Sequence, residues 1–210
     1  MNIKGAVAIV TGSGTGVGAA CIRQFAAKGV RVCVNYARSR QEAEEVAAEC
    51  LANGVEVELV EADVSDDAAC RRMVDTVVKR WGRLDILVNN AAITKKSNAL
   101  DLETLNAQDF EDVFAVNVIG VYQMVRAAVP AMRASGGGAI VNVSSNTAFT
   151  GAGTSIAYTA SKGALNSLTL AFARSLGPDI RVNAVCPGII DTDGCATRWA
   201  SRTTPPLSNG

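Results

Sequence analysis

A doubly wound α/β domain built on a parallel sheet is the fold this sequence predicts, on three observations. Apolar, β-branched runs recur at 6–10, 30–35, 55–60, 84–89, 139–143 and 180–185. Segments of helical period lie between them, so strand and helix alternate along the chain. The runs are apolar throughout, which is the pattern of strands covered on both faces by crossover helices. Right-handed crossovers then favour six strands in the order 3-2-1-4-5-6.

Each element has its own local warrant. The run at 6–10 leads into Thr11-Gly12-Ser13-Gly14-Thr15-Gly16-Val17-Gly18, which opens the first helix. After the second strand, Ala43, Val46, Ala47 and Cys50 follow i, i+3, i+4, i+7, and Asn53-Gly54 closes the helix. After the third, Cys70, Met73, Val74, Val77, Val78 and Trp81 repeat the pattern, with Ser65 as candidate N-cap and Gly82 beyond the end. A long helix is expected over 107–133 between the fourth and fifth strands, and another over 157–176 before the sixth. From 191 to 210 no period of 2 or 3.6 is sustained. The expected organisation is one domain over 1–192, an irregular tail over 193–210, and a sixth strand left as an open sheet edge.

Composition excludes several classes. At 210 residues with 49% apolar and 19% charged residues, the chain suits a single globular domain, not a disordered segment. Lys plus Arg (20) balances Asp plus Glu (20), so there is no general attraction to nucleic acid or to an anionic membrane. No apolar run reaches the ~20 residues of a membrane span, and the first residues do not read as a signal peptide. A soluble, cytoplasmic protein is expected. The six cysteines, at 21, 33, 50, 70, 186 and 195, form no C-x-x-C pair. With no histidine present, neither a metal site nor a disulfide framework is supported, and buried free thiols are expected.

The glycine-rich run at a strand-to-helix junction marks a dinucleotide site. Missing side chains let Gly12, Ser13, Thr15, Gly16 and Val17 bring the backbone close to a pyrophosphate, where free N–H groups and the helix dipole favour anions. No Gly-Lys-Ser/Thr follows, so the run is not a Walker loop. This placement is that of the Rossmann fold, in which an acid at the end of the second strand binds ribose hydroxyls. Here that strand ends Asn35-Tyr36-Ala37-Arg38-Ser39-Arg40, without an acid. Two arginines beside Ser39 suit a 2′-phosphate, favouring NADP(H) while leaving NAD(H) possible. The other reading of these arginines is a solvated helix start.

In a chain without histidine, a proton carrier must be found elsewhere. Tyr158 and Lys162, four residues apart, share one helix face. A nearby ammonium favours phenolate and would lower the tyrosine pKa. Ser145, 13 residues earlier, closes the fifth strand. Asn117 falls in the apolar stripe of Phe110, Val113, Phe114 and Val121, where a buried amide requires partners.

The glycine spacing, Asn89-Asn90-Ala91-Ala92, Asn117, Ser145, Tyr158-x-x-x-Lys162 and Pro187-Gly188-Ile189-Ile190-Asp191-Thr192 together resemble the short-chain dehydrogenase/reductase family from about residue 4 to residue 192. The likeness is nearest to 3-oxoacyl-acyl-carrier-protein reductases and related alcohol and sugar dehydrogenases. It implies that Tyr158 is the acid or base, that Lys162 lowers its pKa and binds the nicotinamide ribose, and that Ser145 hydrogen-bonds the substrate oxygen. Ser144 points to the opposite side if the strand persists, so Ser145 is preferred. The resemblance further implies that Asn117 holds a relay water towards Lys162, and that Asp63 and Val64 contact adenine. By the same likeness Asn90, Ala91 and Ala92 line the cofactor, and Pro187, Gly188, Ile190 and Thr192 cover the nicotinamide carboxamide.

Three departures stand out: Ala92 where the family usually has glycine, Thr15 at a position often basic in NADP-preferring members, and the absence of the usual covering helical segment and seventh strand. The implied activity is hydride transfer between NADP(H) and a carbonyl or secondary alcohol, the substrate being a small molecule or carried on an acyl carrier. A homo-oligomer is implied, a dimer more than a tetramer. Two other classes stay open: a nucleotide-binding protein of this fold with little turnover, and a non-catalytic assembly subunit.

Overall fold

The computed structural model describes residues 3–97 and 101–190. Six parallel strands form one sheet in the order β3-β2-β1-β4-β5-β6. They are β1 (Val7–Val10), β2 (Arg31–Tyr36), β3 (Val57–Glu61), β4 (Ile86–Asn89), β5 (Gly138–Val143) and β6 (Ile180–Val185). The helices are α1 (Gly16–Ala27), α2 (Arg40–Ala52), α3 (Asp67–Trp81), α4 (Ala107–Phe114), α5 (Val121–Ala134), the short α6 (Thr147–Thr150) and α7 (Ile156–Leu176). The strand order expected from alternation and crossover handedness is the one observed.

Alternation along β1 divides the core in two. Ala8 and Val10 join Ile22 and Ala26 of α1 and Ala43, Val46 and Cys50 of α2 on one face. Val7 and Ile9 join Met73 and Val77 of α3, Met124 and Ala128 of α5 and Leu165 of α7 on the other. Burial on both faces holds for β1, β2 and β4. It does not hold for the edge strands: β3 is only half-buried, and Arg181, Asn183 and Val185 of β6 are exposed. Arg181, Asn183 and Val185 alternate along β6 and share one sheet face, while Ile180 and Val182 on the other face join the core. The boundary near 192, the tail over 193–210 and the structural role of Thr192 lie outside the described residues.

Two local expectations are corrected. The N-cap of α3 is Asp66, not Ser65: the Asp66 carboxylate accepts from Ala68 N at 2.8 Å. The Ser65 hydroxyl instead donates to Asp63 Oδ1 at 2.7 Å. At the far end Gly82 adopts φ 72 and donates to Val78 O, as its position beyond the last apolar residue implied.

The helix expected over 107–133 is interrupted by a wide, π-type turn at Ala115–Gly120, with Asn117 inside it. Such turns recur at functional sites, since widening frees backbone groups and re-aims side chains. Gly120 ends the turn against the β3–α3 connection, where a Cβ would lie 3.0 Å from Val64 O. By length and composition alone the run Ala107–Ala134 could cross a bilayer. Here it packs Val121, Met124, Val125, Ala128 and Met132 into the core.

The cap assignment is open to test. Asp66→Ala is expected to lower unfolding stability by about 1 kcal/mol. Ser65→Ala removes only an exposed side-chain contact and should change stability by a few tenths at most. Equal losses in urea titrations of the two variants would return the cap to Ser65.

Candidate active site

Because all six strands run parallel, their C-terminal ends share one edge of the sheet. The connections leaving that edge carry Gly12 after β1, Arg38 after β2, Asp63 after β3, Asn90 after β4, Ser145 after β5 and Pro187 after β6. Strand order reverses between β1 and β4, the position at which doubly wound sheets open a crevice.

The glycine loop is closed by side chains on β2 and just beyond β1 and β4. Gly12, at φ 61, donates its N–H to Asn35 Oδ1 at 3.0 Å. Asn35 Nδ2 donates to Val60 O and Ala62 O, so one amide joins the loop, β2 and β3. Ser13 Oγ accepts from Asn35 N, which turns that hydroxyl into the fold. On the other side Asn90 Nδ2 donates to Thr11 O and Gly12 O, while Thr11 Oγ1 accepts from the N–H groups of Asn90 and Ala91. Gly18 lies beneath this clasp: a Cβ there would sit 2.5 Å from both Asn90 Nδ2 and Gly12 O. Thr15 precedes α1 without a side-chain cap, and a Cβ at Gly16 would meet nothing within 4 Å. The first N–H groups of α1 therefore face open space without an intrahelical acceptor, the arrangement an anionic phosphate requires.

Next to this loop is a cleft of ≈ 240 Å³. Val17, Asn90, Ala92, Ser145, Tyr158, Lys162, Pro187, Gly188 and Ile190, all expected there, line it, together with Val143 and Ser144. Ser155 caps α7 by accepting from Tyr158 N, which aims the first turn of that helix into the cleft. The Tyr158 and Ser145 side chains both line this cleft, and Ser145 Oγ accepts from Thr147 N at 3.2 Å. Burial pushes the Tyr158 phenol above its ordinary range, and the nearby Ser145 hydroxyl offsets part of that rise. Ser144 also lines the cleft and donates to Lys162 O at 3.2 Å; β5 ends at Val143, so the condition of the alternation argument for Ser145, that the strand persists, is not met.

Lys162 departs from its expected geometry. It shares a helix face with Tyr158, but its Nζ donates to Val143 O at 2.7 Å and lies 5.4 Å from the tyrosine ring centroid. The ammonium is thus held over the ring face by a strand carbonyl, and the expected depression of the tyrosine pKa is absent. The lysine itself is 2% exposed. Desolvation lowers its pKa to about 8, while the neighbouring Cys186 acts in the opposite sense.

The other expected residues lie around this centre. Asn117, 1% exposed, accepts from Ile93 N at 2.9 Å and donates to Ile93 O and Ser161 Oγ, both at 3.0 Å. Its amide clamps the β4–α4 connection to α7. Arg38 is exposed at the start of α2, whereas Arg40 is paired with Glu44 at 2.8 Å. Ser39 packs against Gly14. Asp63 accepts from Ser65 N and Oγ, and Val64 is buried. Sequence reasoning missed Asn35 and Thr11. The signal for Asn35 was present: an amide inside an apolar strand needs partners as much as one inside an apolar helix stripe does. Five described cysteines are free thiols, and no metal-binding cluster occurs among the described residues.

Comparison with known proteins gives the family. A family model described as short chain dehydrogenase matches residues 6–203. A Streptomyces violaceoruber protein named as a ketoacyl reductase of the granaticin polyketide synthase is 44% identical over 186 residues, spanning 89% of this chain and 73% of the relative. The 3-oxoacyl-[acyl-carrier-protein] reductase of Staphylococcus aureus is 38% identical over 187 residues, spanning 89% and 75%. The solved structure of NAD+-bound xylitol dehydrogenase matches with a TM-score of 0.86 at 32% identity, covering 91% of this chain and 73% of that one.

The state of Lys162 has a consequence for stability. Its pKa of about 8 lies below the 10.5 of an ordinary lysine, so between these values the unfolded chain binds more protons than the folded one. Stability from this group therefore rises with pH across that window, and the full cost of the buried ammonium is present below pH 8. Lys162→Met removes the titration. Relative to the unmodified protein, the variant should be favoured at pH 7 and lose that relative advantage by pH 10. A stability difference in urea that stays constant from pH 7 to 10 would contradict this account.

Proposed function

The chain belongs to the short-chain dehydrogenase/reductase family, and on that premise we propose that it moves hydride between NADP(H) and a 3-oxoacyl-like carbonyl or the matching secondary alcohol. It is an oxidoreductase enzyme of a family that uses nicotinamide dinucleotides. The observation that carries the finer reading is the Ser145–Tyr158 hydroxyl pair, with Lys162 beside it, in the cleft that the glycine loop borders.

The nicotinamide group supplies the hydride donor or acceptor, and the protein supplies position and proton transfer. In carbonyl reduction Tyr158 O–H gives its proton to the carbonyl oxygen, and in alcohol oxidation the phenolate takes it back. Ser145 donates to the same oxygen and stabilises its developing negative charge. Lys162 would bind the cofactor's ribose hydroxyls and bring its charge towards the phenol. Gly12, Ser13, Thr15, Gly16 and Val17 would hold the pyrophosphate; Asp63 and Val64 the adenine; Asn90, Ala91, Pro187, Gly188 and Ile190 the nicotinamide half. With both amide groups of its side chain engaged, Asn117 enters this reading as the clamp on Ile93 and Ser161. A relay water would use its remaining acceptor capacity.

Preference for NADP(H) is supported by Arg38, which is exposed and in no ion pair among the described residues, and by the absence of an acid at the end of β2. Arg40 is already engaged by Glu44. A homodimer through α5 and α7 is supported by Ile119, Tyr122 and Leu170, which expose 52%, 45% and 68% of their surface on or beside these helices. Free thiols at all five described cysteines are in keeping with a cytoplasmic setting. The 3-oxoacyl reductase among the relatives makes an acyl-carrier-bound substrate the first to assay.

Tyr158→Phe should lower turnover by about 10²–10⁴-fold, the range of a lost general acid or base, with cofactor affinity retained. Ser145→Ala should lose about 10²-fold. Brisk turnover by purified Tyr158→Phe would remove Tyr158 from the proton-transfer role.

Arg38→Ala should weaken NADP(H) binding by roughly ten- to a hundred-fold, the worth of a hydrogen bond to a charged group, and leave NAD(H) binding unchanged. Equal affinity of the unmodified protein for both cofactors, measured by fluorescence titration, would refute the NADP assignment.

A further inference from the structure

Behind the Ser145–Tyr158 pair, a line of buried polar side chains crosses the layer between the sheet and α7. Asn89 Nδ2 donates to Asn142 Oδ1 at 2.8 Å, and Asn142 Nδ2 donates to Thr169 Oγ1 at 2.9 Å. Thr169 Oγ1 donates in turn to Leu165 O at 2.8 Å. Asn89 and Asn142 are register partners on β4 and β5. The three residues are 3%, 0% and 5% exposed, and the flanking Leu87, Ile140 and Leu165 belong to the apolar core.

Stability alone does not account for this line. Apolar residues of similar shape in place of a buried hydrogen-bonded pair are often neutral or stabilising. Among the described residues Asn89 Oδ1 has no partner, so the line ends on a buried acceptor left unmet. A hydrogen bond has what an apolar contact lacks, which is direction. Two aliphatic side chains tolerate sliding and rotation of a helix on a sheet; an amide–hydroxyl bond at 2.9 Å does not.

Its endpoints lie on the two elements that carry the hydroxyl pair. Asn142 is three residues before Ser145 on the same strand and its exit. Thr169 is seven residues, about two turns, beyond Lys162 on the sheet-facing side of α7. Near the cleft, Ser144 Oγ and Lys162 Nζ already tie α7 to β5. Asn142–Thr169 adds a second fixed point further along the helix, and two points determine its direction.

We infer that Asn142 and Thr169 are positioning residues for the oxidoreductase reaction, their hydrogen bond setting the register of α7 on β5 and so the approach of Tyr158 to Ser145. The inference rests on Tyr158 as proton carrier, and the experiment separates the two. Four variants are compared with the unmodified protein, each first checked for folding by urea titration: Thr169→Ser, which keeps the hydroxyl; Thr169→Val, which keeps the shape; the double Asn142→Leu/Thr169→Val, which removes the Asn142 amide that Thr169→Val leaves over and gives up the Asn89–Asn142 bond; and Tyr158→Phe. Reduction is assayed with NADPH and an acetoacetyl thioester, and oxidation with NADP+ and the 3-hydroxybutyryl thioester.

Thr169→Val and the double variant should lose about ten-fold or more in kcat, as small misplacements of reacting groups do. KM for NADPH should be unchanged, because the hydrogen bonds that hold the glycine loop run through Asn35, Asn90 and Thr11 and not through the substituted pair. Thr169→Ser should restore the rate. With the approach of Tyr158 to Ser145 loosened, the pH–rate limb for alcohol oxidation should move to higher pH in the double variant. Overturning results are a double variant with unmodified kcat and pH profile, or equal rate losses in Thr169→Ser and Thr169→Val. If either occurs while Tyr158→Phe is inactive, this inference alone fails; an active Tyr158→Phe overturns the assignment beneath it as well.

Discussion

Parallel pairing is the constraint on which the rest of this structure depends. Neighbouring parallel strands cannot be joined by a tight turn, so each connection must cross the sheet through a helix and return to the same starting edge. Every strand therefore releases its chain at one edge, and residues from six distant parts of the sequence meet there without any of them attracting the others. Gly12 and Asn90 are 78 positions apart in sequence and in direct contact because β1 and β4 are neighbours in the sheet. The reversal of strand order between those two strands opens the crevice that the glycine loop borders.

The site built on that edge is held together by side-chain amides. Asn35 joins the glycine loop to β2 and β3, Asn90 joins it to β4, and Asn117 joins the β4–α4 connection to α7. Asn35 and Asn117 bring a polar group into a dry interior, a cost that is offset only when donors and acceptors are met. An asparagine offers both donor and acceptor on a short stem, so it can replace missing backbone partners where strands end and ladders stop. The cleft residues contrast with these. Tyr158 and Lys162 are pushed away from their ordinary pKa values by burial, each towards the neutral form. Desolvation of this kind is a common mark of chemistry in place of simple packing. In this state of the protein the Lys162 ammonium is held by Val143 O and does not activate the phenol.

Much of this was legible from residue order. Glycine spacing at the end of an apolar run located the loop, since only backbone without side chains can approach a pyrophosphate that closely. The four-residue spacing of Tyr158 and Lys162 placed them on one helix face, whereas strand alternation could not choose between Ser144 and Ser145, because β5 ends at Val143. Other features were hidden for identifiable reasons. Ser65 and Asp66 are both good N-caps, and only the competing bond from Ser65 to Asp63 decides between them. The wide turn at Ala115–Gly120 has no periodicity signal of its own, because Val113, Asn117 and Val121 keep a spacing that an ordinary helix also satisfies. Asn35 was read as the end of a strand, when its being an amide in an apolar run was the same clue that had singled out Asn117.

What the sequence determined by itself was the set of local choices: six apolar runs, the helices between them, a loop too rich in glycine for anything but close backbone approach, and a proton carrier that could not be histidine. These depend on the chemistry of neighbours within a turn or two, which order along the chain specifies. What only the tertiary structure decided was distance between residues far apart in that order. It set Lys162 Nζ on Val143 O and not beside the phenol, closed Asn90 over Gly18, and tied α7 to β5 through Asn142 and Thr169. Those contacts follow from how helices settle on a sheet. That settling is governed by the packing of the whole core, and no single stretch of sequence encodes it.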